Sequence, residues 1–214
     1  MAAEHTNPFL QPYGTQFNIP PFEKITYDDY LPAVKQGIAE RKQEIDAIVK
    51  NRATPDFDNT ILALEKSGKL LQKVMLVFSS LDETNSSPEM VKLSEIIYPM
   101  TSEASDEVMM NDGLFKKVKY VYDNREKMGL TGAKKRAVEE TYKSFVREGA
   151  LLSPEKKEEL KKLNSKMTDL FLKFNKNLLD DTNGFELWVD DESRLSGIPA
   201  SNVANAAEEA KARG

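Results

Sequence analysis

The sequence predicts an all-α fold, a multi-helix lobe preceded by an extended proline-rich arm and followed by one short strand and a last helix. Three observations carry this. Apolar residues recur at three- and four-residue steps from Thr26 to Gly184. Capping residues and prolines mark the breaks between those runs. Period-two alternation, the mark of a strand, occurs once, near the C-terminus. The domain reading is an arm over residues 1–25, a helical domain of about six helices over 26–184, and a strand-plus-helix segment over 185–214.

The arm carries Pro8, Pro12, Pro20 and Pro21 among Phe9, Leu10, Tyr13, Phe17, Ile19 and Phe22. Proline at that density prevents a regular helix and favours extended chain. The aromatic residues are expected to pack on the body, with the prolines limiting the entropy lost on docking.

Thr26 with Asp29 three residues on reads as a helix cap. Because Pro32 falls too deep for an ideal first turn, a short turn is expected first, with the helix beginning near Pro32. Val34, Ile38, Ile45, Ile48 and Val49 form its stripe. A second helix is predicted from Phe57 to Leu81 with Gly68 inside it, compensated by the close approach of a neighbouring helix or by a kink. Ser87-Pro88 is an N-cap followed by an N1 proline, and it opens a helix to about Met109, with a bend or interruption expected at Pro99, before Met100.

Asn111-Asp112-Gly113 restarts the chain. Leu114, Phe115, Val118, Val121 and Tyr122 make the next stripe, ending at Gly129. Thr131 opens a fifth helix ending near Gly149, and Ser153-Pro154 opens a sixth. In the sixth helix Leu160, Leu163, Met167, Leu170, Phe171, Phe174 and Leu178 step by three and four until Asn183-Gly184. Three heptads are marginal for a free-standing coiled coil, so antiparallel packing inside the helical domain is expected for it. Phe185 to Asp191 alternates and reads as a strand; Ser201 to Arg213 reads as an alanine-rich helix. A lone strand leaves backbone groups unpaired, so the last 30 residues are expected to belong to a larger unit that continues beyond them.

The chain has 214 residues, Lys+Arg 30 against Asp+Glu 35, a formal charge of −5, no cysteine and one histidine, His5. A chain of this length buries roughly 70% of the surface that its unfolded form exposes. The acidic balance argues against a general grip on phosphate backbones, and no nucleic-acid partner is expected. Without cysteine there are no disulfides, thiol nucleophiles or thiolate metal sites. A single histidine excludes a conventional zinc hydrolase centre or a Ser-His-Asp site within this polypeptide.

Candidate chemistry is thin. The carboxylate groups Asp28-Asp29, Asp180-Asp181 and Asp190-Asp191-Glu192 sit at helix starts, ends and turns, where Asp satisfies backbone donors. The basic groups Lys116-Lys117, Lys134-Lys135-Arg136 and Lys161-Lys162 alternate with acidic residues, as on a solvated face. Met75, Met90, Met100 and Met167 read as core filling, and Trp188 as an anchor against a neighbour. No glycine-rich phosphate loop is present. No residue is assigned a catalytic, cofactor-binding or metal role. The absence of a long apolar run or a leader sequence predicts a chain with no membrane partner. It is expected in the cytoplasm, or in the periplasm if a leader has been removed.

Several strings carry a resemblance: NPFL at 7–10, PPFEKI at 20–25, YLPAVKQGIAERKQEIDAIVKN at 30–51, NTILALEKSGKLL at 59–71, VF at 77–78, LFKKVKYVYD at 114–123 and FELWVDDESRLSGIP at 185–199. Together they resemble the N-terminal region of the peptidyl-dipeptidase (Dcp) and oligopeptidase A branch of the thimet-oligopeptidase-like zinc metallopeptidases. The resemblance implies a mostly helical enzyme that takes oligopeptide substrates into a channel, releases C-terminal dipeptides and uses one zinc ion. The family's HExxH signature has no counterpart here, because His5 is followed by Thr6.

The chain is therefore expected to be the non-catalytic N-terminal part of such an enzyme, walling or gating the channel. It should have no cofactor of its own, a C-terminal catalytic part as its partner, and a tendency to dimerise when isolated because apolar surface is uncovered. The alternative is a stand-alone helical module that binds a protein or peptide in a groove.

Overall fold

A computed structural model describes residues 5–214, and among them every regular element is helical. The chain divides into two compact units, one running through Lys173 and the other Phe174–Gly214. Among the described residues no helix is long and apolar enough to cross a membrane.

The first unit is built on α1 (Tyr27–Lys50), with α2 (Ala63–Glu65), α3 (Lys69–Thr84), α4 (Pro88–Met109), α5 (Asp112–Asn124), α6 (Gly132–Arg147) and the first part of α7 (Pro154–Gly184) around it. α1 starts at Tyr27, earlier than proline placement suggests, because Asp29 takes the hydrogen bond of the Thr26 N–H at 2.8 Å and so ties down the first turn. Pro32 then lies in the second turn. The carbonyl it leaves without a donor is that of Asp28, an exposed residue at the helix entrance, so the helix tolerates it.

Two apolar clusters make the core, and α1 threads both. Its N-terminal half supplies Tyr30, Ala33 and Val34 to a cluster with Phe9, Val74, Phe78, Met90 and Ile97. Its C-terminal half supplies Ile45 and Ile48 to a cluster with Ile61, Leu114, Val118, Val121, Val138 and Phe145. In the first, the rings of Phe9, Tyr30, Phe78 and Tyr98 follow one another at centroid distances of 5.1, 5.3 and 5.6 Å, tilted or edge-on as aromatic quadrupoles prefer. Burial pushes the Tyr30 hydroxyl up to about 12, so it stays neutral.

The predicted second helix is two pieces. Phe57–Leu62 is a π-helical turn capped by Asp56, whose carboxylate accepts from the Asn59 N–H at 2.7 Å, and it passes into α2. The chain then turns at Gly68, with φ +71°, before α3. A kink and a close neighbour act together here. A Cβ on Gly68 would lie 2.7 Å from Arg41 Cδ of α1, and Glu44 of α1 accepts from the Gly68 N–H at 2.6 Å. One stretch earlier on α1, a Cβ on Gly37 would lie 2.7 Å from the backbone nitrogen of Leu71. The α1–α3 crossing is therefore a backbone-to-backbone approach that only glycine permits.

α4 runs through Pro99 without the interruption expected there. Ser87 Oγ accepts from the Met90 N–H at 3.1 Å, forming the cap the sequence predicts, and at the predicted restart Asn111 Oδ1 accepts from the Leu114 N–H at 2.9 Å.

The arm is three short 3₁₀ turns (Pro8–Leu10, Gln16–Asn18, Phe22–Lys24) joined by extended chain. Phe9 is buried in the first cluster. Lys73 of α3 donates to the carbonyls of Phe9 and Gln11 at 2.8 and 2.7 Å and lies 3.9 Å from the centre of the Tyr13 ring. Leu10, Phe17, Ile19 and Phe22 stay exposed, whereas Tyr13 and Ile25 pack beside Phe9 on the first cluster, so the arm docks through part of its apolar set.

The second unit holds the end of α7, an irregular stretch, a 3₁₀ turn (Glu192–Leu195) and α8 (Ala200–Arg213). The expected strand at Phe185 to Asp191 does not form. Those residues form no regular element and have no partner strand among the described residues, and alternation without a ladder does not make a sheet. Arg213 instead bridges Glu186 at 2.5 Å and Glu209 at 3.0 Å, tying α8 to the irregular stretch.

Candidate functional site

The carboxylate groups are structural. Asp29 is buried and accepts from the Thr26 N–H at 2.8 Å, the Thr26 hydroxyl at 2.9 Å and His5 Nε2 at 2.8 Å. Burial alone would raise its pKa, but the bonds from Thr26 and His5 hold it below the usual carboxylate range. Asp191 caps the 3₁₀ turn after the irregular stretch through the Ser193 N–H at 3.0 Å. Asp180 and Asp181 are exposed near the end of α7.

Zinc needs four nitrogen, oxygen or sulfur ligands, and His5 with Asp29 offers two groups already engaged with each other and with Thr26. Among the described residues no group of three or more His, Cys, Asp or Glu could hold a metal ion. The residues present do not fit zinc.

The basic groups are also occupied on the protein. Lys135 pairs with Glu126 at 2.6 Å, Arg136 with Glu140 at 3.6 Å and Lys161 with Glu158 at 2.8 Å. Lys117 donates to the Asn51 carbonyl at 2.6 Å, and Lys134 lies 5.0 Å from the Phe57 ring centre. Among the described residues these five basic side chains are thus engaged in contacts on the protein itself.

A half-open cleft of about 510 Å³ lies between the end of the arm, the start of α1 and the α3–α4 junction. Phe22, Ile25, Tyr30, Leu81 and Met90 make its walls, with Thr26, Tyr27 and Asn85 as its polar groups. The Tyr27 hydroxyl accepts from Ser87 Oγ at 3.0 Å and the Thr26 hydroxyl donates to Asp29, so both are spoken for. A nucleophile beside a general base is missing from this lining; the cleft can shelter an apolar side chain but is not equipped for bond cleavage. Beyond it, Tyr98 donates to Asp82 at 2.9 Å, and burial raises the pKa of both groups.

The second feature is α7. Within the first unit this helix packs through Lys157, Leu160, Asn164 and Thr168. Lys157 is 7% exposed, donates to the Met110 carbonyl at 3.2 Å and pairs with Asp112. Asn164 donates to Asp106 at 2.8 Å and Thr168 to Ser102 at 3.4 Å. Beyond Leu160 the apolar stripe therefore points away from the bundle: Leu163, Leu170, Phe171 at 66% and Met167 at 70% are exposed. Asn164 and Thr168 follow the stripe residues Leu163 and Met167 by one, which at roughly 100° per residue turns this packed face about a quarter-turn from the stripe. The expected burial of this stripe inside the helical domain is thus corrected, and Met167 is not core filling. A polar anchor at Lys157, Asn164 and Thr168 leaves no mark in hydrophobic periodicity, which is why the sequence does not show it.

No family model matches the chain. It is 35% identical over 209 residues to dipeptidyl carboxypeptidase of Salmonella typhimurium, covering 98% of this chain and 31% of that protein. It is 36% identical over 208 residues to the Escherichia coli dipeptidyl carboxypeptidase, covering 97% and 30%. Oligopeptidase A of Escherichia coli is 29% identical over 208 residues, again covering 97% and 30%. The chain matches an N-terminal region of these peptidases. It spans about a third of the length of the curated relatives it matches, 31% in the first case. An alignment covering 98% of the chain takes in both compact units. The shared region of dipeptidyl carboxypeptidase and oligopeptidase A therefore includes the bundle and the segment after it.

Proposed function

We propose that this chain is the N-terminal helical part of a peptidase that releases dipeptides from the C-termini of oligopeptides, and that it walls or gates the substrate channel rather than performing chemistry. The observation that carries this is the similarity to dipeptidyl carboxypeptidase over 98% of the chain against 31% of the relative. The disposition of ionisable groups supports the division of labour: the lone histidine and its carboxylate neighbour serve the start of α1, and the cleft beside it has no base–nucleophile pair. A rigid two-cluster bundle can exclude bulky substrates and water from a neighbouring metal centre, which helps catalysis through closure and sequestration.

Zinc and its HExxH ligands would then come from the rest of the enzyme, and the whole would work in the cytoplasm, or in the periplasm if exported. The test is to read the parent gene beyond the Gly214 codon and to assay the purified chain. Continuation into an HExxH-encoding segment is expected, with substoichiometric zinc and no dipeptide release by the chain alone. A stop codon at that point would favour the helical interaction module, the reading that the exposed α7 stripe also suits. Stoichiometric zinc with chelator-sensitive dipeptide release would overturn the assignment of chemistry to another part.

A further inference from the structure

The α7 stripe of the first unit has a charged edge. With Leu163 and Leu170 at heptad position d and Met167 at a, Lys166 and Lys173 fall at g, the position that faces a partner helix beside the apolar seam. Both lysines are exposed, and neither makes an ion pair among the described residues, whereas Glu159, the preceding g residue, is taken by Lys156 at 2.5 Å. The e side is closed: Asn164 is bound to Asp106, and Phe171 widens the apolar strip.

We infer that this lysine-edged seam is a docking strip for an amphipathic helix with acidic flanks. In a protein of the relatives' length, that helix comes from the two-thirds or so that this chain does not span; the source, but not the chemistry, rests on the function proposed above.

Charge selects this occupant over a second copy. In an antiparallel pair of copies the g positions oppose one another, setting lysine against lysine. In a parallel pair, g faces e, where Asn164 and Phe171 offer no negative charge. An acidic edge meets both lysines and at the same time covers Leu163, Met167, Leu170 and Phe171, whose exposure invites a partner. A helix laid in that manner needs only the i, i+3, i+4, i+7 anchors of helix-in-groove recognition.

The test uses two labelled synthetic helices of about three heptads with leucine at a and d, one with glutamate at e and g and the other with lysine. Anisotropy titration of the chain at low salt should show the glutamate helix binding at least about tenfold more tightly than the lysine helix, with the gap closing at high salt. Phe171→Glu should abolish binding of the glutamate helix, and the double change Lys166→Glu with Lys173→Glu should reverse the preference. Equal affinity for the two helices, no binding to either, or a dimer that Met167→Glu dissociates would overturn the proposal.

For the source, the chain has no cysteine, so Phe171→Cys gives one maleimide-reactive site on it. That site should react at least about tenfold more slowly in the parent polypeptide than in the isolated chain, the loss a covered interface imposes. Equal rates would overturn the source while leaving the peptide result, and the gene-level test of function, to stand separately.

Discussion

α1 and the first half of α7 are both amphipathic helices of the same unit, yet they use their apolar faces in opposite ways. α1 turns Tyr30, Ala33, Val34, Ile45 and Ile48 inward and joins two clusters through them. α7 meets the bundle through a lysine, an asparagine and a threonine and leaves its leucines, methionine and phenylalanine outside. The contrast shows what amphipathicity means. A stripe states that a face is available for burial, and the partner that covers it is decided elsewhere. α1 is covered along both halves by apolar side chains of other helices, whereas α7 is held by four polar contacts that set its rotation while the stripe stays uncovered.

Substitutions can break or sharpen this contrast. The largest effect is expected for Phe78→Ala, which removes a fully buried ring between Tyr30 and Tyr98 and should cost about 3–5 kcal/mol in urea unfolding followed by helical ellipticity. Gly37→Ala should cost about 1–3 kcal/mol, because the new methyl meets the Leu71 backbone and forces α1 and α3 apart. A wild-type midpoint for this variant would show that the crossing is looser than its geometry.

Lys157→Ala should cost about 1–3 kcal/mol by leaving the buried Met110 carbonyl without a donor, and it should loosen the start of α7 selectively in amide exchange. Asp29→Asn should cost about 1 kcal/mol, the usual scale of a lost cap. Its effect carries a pH signature. The folded-state pKa of Asp29 lies below its ordinary 3.8, so its contribution is present above that pH and is lost as the pH falls through the folded value. The gap between wild type and variant should accordingly close in acid, and a pH-independent gap would refute the role of the charge. The smallest effect is expected for Phe171→Ala, within about 0.5 kcal/mol of wild type despite the size of the ring. A cost near that of Phe78→Ala would mean that the α7 stripe is covered after all.

Most helices of the bundle are legible from periodicity and caps. Ser87-Pro88, Asn111 and Ser153-Pro154 mark starts that the structure keeps, because a cap is a local arrangement of a side chain and the next turn's N–H groups. The failures are informative in the same terms. Gly68 reads as a residue within one long helix, but it turns with positive φ where its N–H is bound by Glu44 and its open side is filled by Arg41, residues of another helix. Phe185 to Asp191 alternates as a strand does and stays unpaired, since a strand depends on a second segment that no local pattern can supply. The candidate site was the least legible part: lysines at heptad g positions look like any solvated face until the orientation of α7 shows which side they border.

What the amino acids determined alone is local: an all-helical chain, its caps, and a residue set without the histidines for metal chemistry. Tertiary structure decided which stripe is buried, where the chain kinks and which face stays open. Periodicity and capping depend on neighbours within a few residues. The choice of which apolar face to cover depends on polar contacts between segments some 45 to 66 residues apart, such as Lys157 with Asp112 and Thr168 with Ser102.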